Sequence, residues 1–217
     1  MALNAAVPNR LSDILEELGG IAASRVRSEP VLGQATIADL IRVNDEGCLC
    51  ELVDGILVQK ACGWKESLIV AALIQGLSQF VRIDNPGLII GPDACFEIFR
   101  TLVRSASVSF VSWNRLPAGK MPTTPVPQIV PDLIVEVLRT GNTFMEMSRK
   151  RHEYFHAGVR LVWMVDPRER TVAVYTSASE YQILDESQML TGHDVLPGLE
   201  IRLADVFAEL DRCPPPT

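Results

Sequence analysis

The segment from Pro131 to Asp166 constrains the fold more than any other part of the chain. Its sequence, PDLIVEVLRTGNTFMEMSRKRHEYFHAGVRLVWMVD, predicts a buried strand, a polar helix and a second apolar strand. Glu136 lies in the middle of the first strand, within LIVEVL. A carboxylate is costly to bury without a partner, so we expect Glu136 to meet a cation. The interpretation we favour is a divalent metal, with Lys150 beside it from the helix.

The order of the predicted elements indicates the fold class. A right-handed crossover would place a helix at 143–157 over one face of the sheet. Together with the flanking elements, this predicts an α/β (α+β) domain with a mixed central β-sheet flanked by helices. The other predicted helices are at 11–18, 35–43, 64–81 and 203–210, and the predicted strands are a hairpin at 50–59 and segments at 88–91, 94–99, 107–113, 132–139, 160–166 and 171–176, with further strand-like segments near 180–191.

Length and composition predict one main domain. A chain of 217 residues with 47% apolar residues can bury a single substantial core. We predict an N-terminal helical appendage at 1–33, the main domain at 34–212 and a tail at 213–217. The N-terminus lacks the basic start and following apolar run of a signal peptide. The longest apolar run, seven residues from Leu68, is too short to span a membrane. The five cysteines show no paired CxxC spacing of the kind that binds zinc. We therefore expect a cytoplasmic protein with reduced thiols and no membrane partner.

The charge balance limits how nucleic acid could bind. The chain carries 20 Lys and Arg against 27 Asp and Glu, a formal net charge of −7. Proteins that grip duplex DNA over a broad face usually have a basic balance. Any nucleic-acid contact is therefore predicted to come from a local basic patch, with Arg104, Arg149 and Arg151 as its candidate residues.

The predicted strand and helix suggest how a site could form around Glu136. Asp132 is four residues away on the same strand, roughly 13 Å at the usual rise, so one metal cannot be bound by both. On the helix, Glu146, Lys150 and Tyr154 follow one another at i, i+4 and i+8 and share a face. That stripe is compatible with a simple Glu146–Lys150 ion pair on a solvated surface, or with a lysine that reaches over the sheet to Glu136.

A set of motifs resembles the Uma-type restriction endonucleases, a branch of the PD-(D/E)XK nuclease superfamily. The central matches are PDLIVEVL, the K-x3-Y-x3-GV pattern that begins at Lys150, and VWMVDPRERTVAVY. Further matches are CELVDGILV, GPDACFEIF, VSFVSWNRLP and LPGLEIRLADVF, so that the resemblance covers roughly residues 35–210. It implies a restriction-endonuclease-like domain whose mixed sheet is flanked by helices.

The resemblance also implies a chemistry, namely hydrolysis of phosphodiester bonds in nucleic acid, DNA above all, with Mg²⁺ or Mn²⁺ as the cofactor. By position, Glu136 is the metal-binding acid and Lys150 the catalytic lysine, while Glu51 corresponds to the family's acid before the first hairpin and is expected to join the catalytic set by binding the metal through a water molecule. The metal would activate a water molecule and the lysine would orient it or offset developing charge. A homodimer is expected, because nucleases that cut both strands often dimerise.

One position departs from the family pattern. The middle motif of the family reads R-x-P-D before V-S-F-V, and its aspartate binds the metal directly. This chain reads Arg-Ser-Ala-Ser-Val from Arg104, which places Ser107 where the aspartate is expected. A hard cation requires anionic oxygens, and Asp93 in GPDAC is a candidate substitute. Two outcomes remain open, an endonuclease with impaired cleavage and an inactive nuclease fold that serves as a binding or assembly module.

A competing motif lies within the same helix. His152, Glu153 and His156 form H-E-x-x-H, which in zinc proteases places two imidazoles and a general base on one helix face. The helix is predicted to stop at Gly158, and no extended third-ligand motif follows. A zinc metalloprotease is therefore a minor alternative.

Overall fold

The computed structural model describes residues 10–61 and 63–213 of the chain. It contains five α-helices and twelve strands in these ranges. The helices are α1 (Leu11–Glu17), α2 (Ile37–Asp45), α3 (Trp64–Asp84), α4 (Phe144–Ala157) and α5 (Leu203–Ala208). The strands are β1 (Cys50–Val53), β2 (Ile56–Gln59), β3 (Gly87–Ile90), β4 (Phe96–Phe99), β5 (Leu102–Arg104), β6 (Val108–Ser112), β7 (Leu133–Val137), β8 (Leu161–Asp166), β9 (Thr171–Tyr175), β10 (Tyr181–Asp185), β11 (Met189–Gly192) and β12 (Leu196–Arg202).

A six-stranded mixed sheet forms the centre, in the order β10-β9-β8-β7-β6-β3. The pair β7 and β8 is parallel and every other neighbouring pair in this sheet is antiparallel. This confirms the predicted mixed central sheet. A second sheet, ordered β2-β1-β5-β4, was not predicted as a separate unit, and β11 pairs with β12 in a small third sheet.

Helix α4 connects the parallel strands and covers one face of the central sheet. Thr143 caps its N-terminus by accepting a hydrogen bond from the Glu146 N–H, and Gly158 ends it with a φ of 102°. The helix predicted at 143–157 is therefore confirmed. Its buried face consists of Glu146, Met147, Lys150 and Tyr154, so the stripe seen in the sequence points inward rather than into solvent.

The two faces of the central sheet bury separate cores. Helix α3 packs on one face, where Leu73 and Leu77 meet Phe110 and Trp163. Tyr154 of α4 lies on the other face with Ile134 of β7, and Glu136 belongs to this face by strand alternation. The carboxylate of Glu136 therefore faces the buried stripe of α4.

Helix α3 has the length and composition of a membrane-spanning helix, with 21 residues and a mean hydropathy of 1.3. Five of its residues are buried in the protein core: Ile69, Val70, Leu73, Leu77 and Val81. Of its most apolar window, 28% is buried. Length and composition alone are weak evidence, because core helices of globular domains share them, and the absence of a membrane partner stays a prediction.

Residues 10–33, predicted to be part of an appendage, pack against the main domain. Ile14 and Leu18 of the α1 region lie in the same core as Tyr154. Gly19 has a φ of +92°, and a Cβ there would lie 2.4 Å from the backbone nitrogen of Glu146, so only glycine permits this approach. The N-terminal segment from residue 10 onward is therefore integrated into the domain that holds the site. Residues 1–9 and 214–217 lie outside the described ranges.

Candidate active site

Glu136 lies near the carboxyl end of β7 and is 5% exposed. Its Oε1 accepts hydrogen bonds from the Tyr154 hydroxyl at 2.6 Å and from Lys150 Nζ at 3.1 Å. Within residues 10–61 and 63–213, both of its donors bind Oε1 and none binds Oε2, and Glu136 lines a small cavity. The carboxylate is thus held by one oxygen and available through the other.

Lys150 is buried between two carboxylates. Its Nζ donates to Glu51 Oε1 at 2.8 Å as well as to Glu136 Oε1. Burial by itself would lower the pKa of Lys150, but the charges of Glu136 and Glu51 outweigh it and raise the pKa above its ordinary value. The side chain is therefore a charged ammonium, brought over the sheet by α4 as the sequence predicted.

Glu51, on β1, anchors the other side of this ammonium. Its Oε1 also accepts from the Ser105 N–H at 3.1 Å, and its Oε2 accepts from Arg104 Nη1 at 2.8 Å. Burial would raise the pKa of Glu51, yet Lys150 and Arg104 outweigh it and hold the pKa below the ordinary range. Because both oxygens are occupied and the residue is 1% exposed, Glu51 orients Lys150 rather than facing the cavity.

Lys60 is a second buried lysine of the site, and sequence reasoning missed it. Its Nζ donates to the Ser105 carbonyl at 2.6 Å and to Ser105 Oγ at 3.1 Å. Burial lowers its pKa, while Glu136 and Glu51 act in the opposite direction. In the sequence, Lys60 comes directly after the apolar strand ILVQ. A lysine at a strand end is usually solvated, so this position alone does not predict burial.

The cavity beside Glu136 has a volume of about 20 Å³. This is enough for one water molecule, which needs roughly 10–15 Å³. The side chains that border it are predominantly charged or polar, and they come from segments that are far apart in the sequence. The lining residues are Arg25, Lys60, Ala61, Ser107, Glu136, Val137, Arg139, Asn142 and Lys150.

The ligand set for a divalent metal is incomplete at this cavity. Ser107 lies where the family resemblance implies an aspartate, and its Oγ accepts a hydrogen bond from the Val137 N–H at 3.0 Å. Asp93, the candidate substitute, is exposed and does not line the cavity. In the part of the chain that the structure describes, no group of three or more His, Cys, Asp or Glu side chains could hold a metal ion. The residues present therefore do not fit Mg²⁺ or Mn²⁺ as a complete site.

Comparison with known families shows which family has these site residues. The sequence profile of Uma2, described as "Putative restriction endonuclease", matches residues 37–204, which include Glu51, Glu136 and Lys150. This chain belongs to the Uma2 family. The match confirms the resemblance indicated by the motifs.

A solved structure shares the Uma2 fold seen here. It is described as a "putative nuclease belonging to DUF820" from Anabaena variabilis, and it matches with a TM-score of 0.67 at 20% sequence identity. The match covers 76% of this chain and 92% of that chain. At this level of identity, the likeness establishes the nuclease-like fold. No curated protein matches the sequence.

The arginines predicted to bind nucleic acid occupy different environments in this Uma2 protein. Arg104 is buried and ion-paired with Glu51 and with Glu153 at 2.6 Å. It therefore supports the site from within, which corrects its predicted place in a surface patch. Arg149 is bound to Glu153 and Asp54. The three arginines do not form one free basic surface, and contact of Arg149 and Arg151 with nucleic acid stays a prediction.

The H-E-x-x-H residues do not converge on a metal position. Glu153 is held by Arg104 and Arg149. His152 Nδ1 lies 2.7 Å from the Ser148 carbonyl, and the ring of His156 packs at 5.2 Å from that of Phe99. The glutamate that would serve as a general base is therefore engaged by two guanidinium groups. This arrangement gives the zinc protease alternative no support.

Proposed function

We propose that this protein hydrolyses phosphodiester bonds of nucleic acid, preferentially DNA, at the Glu136 cavity, and that cleavage is slow because Ser107 removes an anionic ligand. The observation that carries the proposal is the bridging position of Lys150, which contacts Glu136 and Glu51 at 3.1 and 2.8 Å in a Uma2 chain. A carboxylate can accept a proton from the attacking water, and a charged ammonium beside it can offset negative charge on the phosphate oxygens.

The side chains have distinct parts in this proposal. Glu136 Oε2 accepts a proton from a water molecule of the size that the cavity admits, while the oxygen of that water forms a bond to phosphorus and the P–O bond to the leaving nucleotide oxygen breaks. The leaving oxygen takes up a proton from solvent. Lys150 offsets negative charge on the phosphate oxygens, and Lys60 adds a second positive charge at the same cavity. Tyr154 fixes the orientation of the Glu136 carboxylate through its hydroxyl.

The predicted cofactor is Mg²⁺ or Mn²⁺, since nuclease families of this kind generally use divalent metals. One open carboxylate oxygen, a serine hydroxyl and two nearby ammonium groups make a poor site for a hard cation. We therefore expect weak metal binding and assign no step to the metal. A homodimer and binding through a local basic patch also stay predictions.

A second candidate is a nuclease fold that binds nucleic acid without cutting it. The observation that favours it is the cavity itself, where Ser107 replaces an expected carboxylate and the ammonium of Lys60 lies among the lining groups. Two lysines can hold a phosphate group without any metal. The two candidates make different predictions for strand cleavage. The nuclease cleaves nucleic acid in a reaction that depends on Glu136, whereas the binding module does not cleave it.

The test measures cleavage of end-labelled DNA and RNA, single-stranded and duplex, with Mg²⁺, Mn²⁺ or EDTA. Glu136→Gln removes the negative charge at the cavity, and the matched control is Glu180→Gln, an exposed residue outside it. We expect Glu136→Gln to reduce cleavage by at least about 100-fold and Glu180→Gln to leave it unchanged.

The other outcomes separate the candidates. Cleavage that persists in Glu136→Gln contradicts the proposed site. Binding without any cleavage, equal in wild type and Glu136→Gln, supports the binding module. Neither binding nor cleavage on any of the four substrates contradicts both.

A further inference from the structure

A surface cleft lies beside the small cavity, at the carboxyl ends of the parallel strands β7 and β8. It is formed between α4 and the strands β8, β9 and β10, and its volume is about 320 Å³. Clefts of this size hold small molecules, and in α/β sheets ligands bind at this end of parallel strands. None of the roles described above uses this cleft.

The cleft combines an apolar floor with positive charge at its edge. Met147, Met164 and Ala173 supply apolar surface, and Arg139, Arg151 and Arg168 also line it. The one acidic residue of the lining, Asp166, is paired with Arg168 at 3.5 Å. An apolar surface with unneutralised guanidinium groups suits a flat aromatic ring joined to a phosphate.

Two of these arginines lack carboxylate partners within residues 10–61 and 63–213. Arg139 and Arg151 form no salt bridge there, whereas Arg25, Arg104 and Arg149 all do. The guanidinium of Arg151 lies 4.6 Å from the centroid of the Tyr175 ring, and its buried Nε has no hydrogen-bond partner. Arg151 Nη2 donates only to the neutral Ser148 Oγ, at 3.2 Å. In a protein with a net charge of −7, two guanidinium groups without carboxylate partners on one cleft favour an anionic ligand.

The cleft and the Glu136 cavity are neighbours that share two lining residues. Arg139 and Asn142, in the loop after β7, line both spaces. A chain whose phosphate lies at Glu136 and Lys150 would therefore pass Arg139 and place its next nucleotide in the cleft. A base that is stacked inside a duplex cannot enter a side cleft unless it leaves the stack.

We infer that the cleft binds one unpaired nucleotide adjacent to the phosphate at the Glu136 cavity, with its base on the apolar floor and its phosphate at Arg139. The inference rests on the proposed function and specifies its substrate class as single-stranded nucleic acid, or a duplex with an unpaired nucleotide. Tyr175 is itself buried against Tyr181, at 4.9 Å between ring centroids, so the guanidinium plane of Arg151, which lies over the Tyr175 ring, is the surface available for stacking at the side of the cleft.

The experiment measures binding by fluorescence anisotropy in EDTA, so that neither metal nor cleavage affects the result. The probes are a labelled single-stranded DNA oligonucleotide and a blunt duplex of the same sequence. Ala173→Leu fills the floor without changing charge, and Arg139→Ala removes one unpaired guanidinium. Arg82→Ala, on the exposed end of α3, is the charge-matched control outside the cleft. Circular dichroism and thermal melting verify that each variant folds.

We expect the wild type to bind the single strand at least about tenfold more tightly than the duplex, because one stacked base contributes about that factor to affinity. Ala173→Leu and Arg139→Ala should each lose about tenfold in affinity for the single strand, with Arg82→Ala unchanged. Equal affinity for both probes, or folded cleft variants that bind like the wild type, would overturn the inference. Cleavage that depends on Glu136 in the preceding test would then still support the proposed function, so the two failures are distinguishable.

Discussion

The ammonium of Lys150 lies 3.1 Å from Oε1 of Glu136, a residue on the strand that precedes its helix. Thr143 and Gly158 fix the two ends of α4, and helical periodicity then places Lys150 on the face of α4 that is buried against the sheet. Glu51 completes the arrangement from a different sheet. The site therefore depends on the packing of two sheets and one helix.

Removing the ammonium should strongly destabilise the fold. Lys150→Met leaves the carboxylates of Glu136 and Glu51 buried without their shared partner, and we expect a loss of about 3–5 kcal/mol in the free energy of unfolding. The double variant Lys150→Met/Glu136→Gln should recover part of this loss. Urea denaturation measures both. The exposed Lys65→Met should change stability by no more than about 0.5 kcal/mol; a similarly small loss in Lys150→Met would contradict the described ion pairs.

The buried acid Glu51 should make stability depend on pH in the acid range. Its pKa is lower in the folded state than its ordinary value of 4.5, so the unfolded chain binds more protons as the pH falls. The stabilising contribution is complete above that value and is lost progressively below it. Glu51→Gln should flatten the dependence of unfolding free energy on pH below about 4.5. Equal slopes in the wild type and Glu51→Gln would show that this carboxylate is not held by Lys150 and Arg104.

Restoring a carboxylate at position 107 should create metal affinity. The Oγ of Ser107 already accepts a hydrogen bond from Val137 N–H, and an aspartate oxygen can accept the same bond. We expect Ser107→Asp to bind Mn²⁺ at least about tenfold more tightly than the wild type, because hard cations require anionic oxygens. Electron paramagnetic resonance of free Mn²⁺ measures this. Ser107→Asn, similar in size but neutral, is the control, and an equal gain in that variant would contradict the electrostatic explanation.

The N-terminal segment should contribute to stability through one ion pair. Arg25 donates to both oxygens of the buried Glu146, at 3.0 and 2.7 Å. Arg25→Met leaves that carboxylate with fewer donors and should cost about 2–3 kcal/mol. Arg42→Met, which breaks exposed helical pairs, should cost about 0.5 kcal/mol or less. Thermal or chemical unfolding measures the loss of unfolding free energy in both variants. Equal small losses would contradict the described packing of the segment from residue 10 against the main domain.

The mixed sheet and helix α4 could be predicted because their signals are local. The short apolar run of LIVEVL, the Glu146–Lys150–Tyr154 stripe and the stop at Gly158 each lie within a single element and can be read from its own residues. The stripe was compatible with a lysine that reaches Glu136 as well as with a Glu146–Lys150 ion pair on a solvated surface, and the structure shows the contact with Glu136. The contact of Lys150 with Glu51 could not be predicted from one segment, because the two residues are 99 positions apart in the sequence.

The remaining features depend on tertiary packing that no single segment reveals. Arg104 looked like part of a basic surface, because its partner Glu51 is 53 residues away in sequence. Lys60 looked like a solvated strand end, although its acceptors Ser105 and Ala106 follow β5. The short strand β5, which pairs with β1 and β4, was not predicted. Burial of a charge is decided by such distant partners.

The most direct test of the central claim is strand cleavage by Ser107→Asp compared with the wild type and Ser107→Asn in Mg²⁺ or Mn²⁺. We predict that Ser107→Asp cleaves DNA at least about tenfold faster than the other two, and that adding Glu136→Gln abolishes the gain. Equal cleavage by the wild type and Ser107→Asp, or a gain that survives Glu136→Gln, would contradict the account.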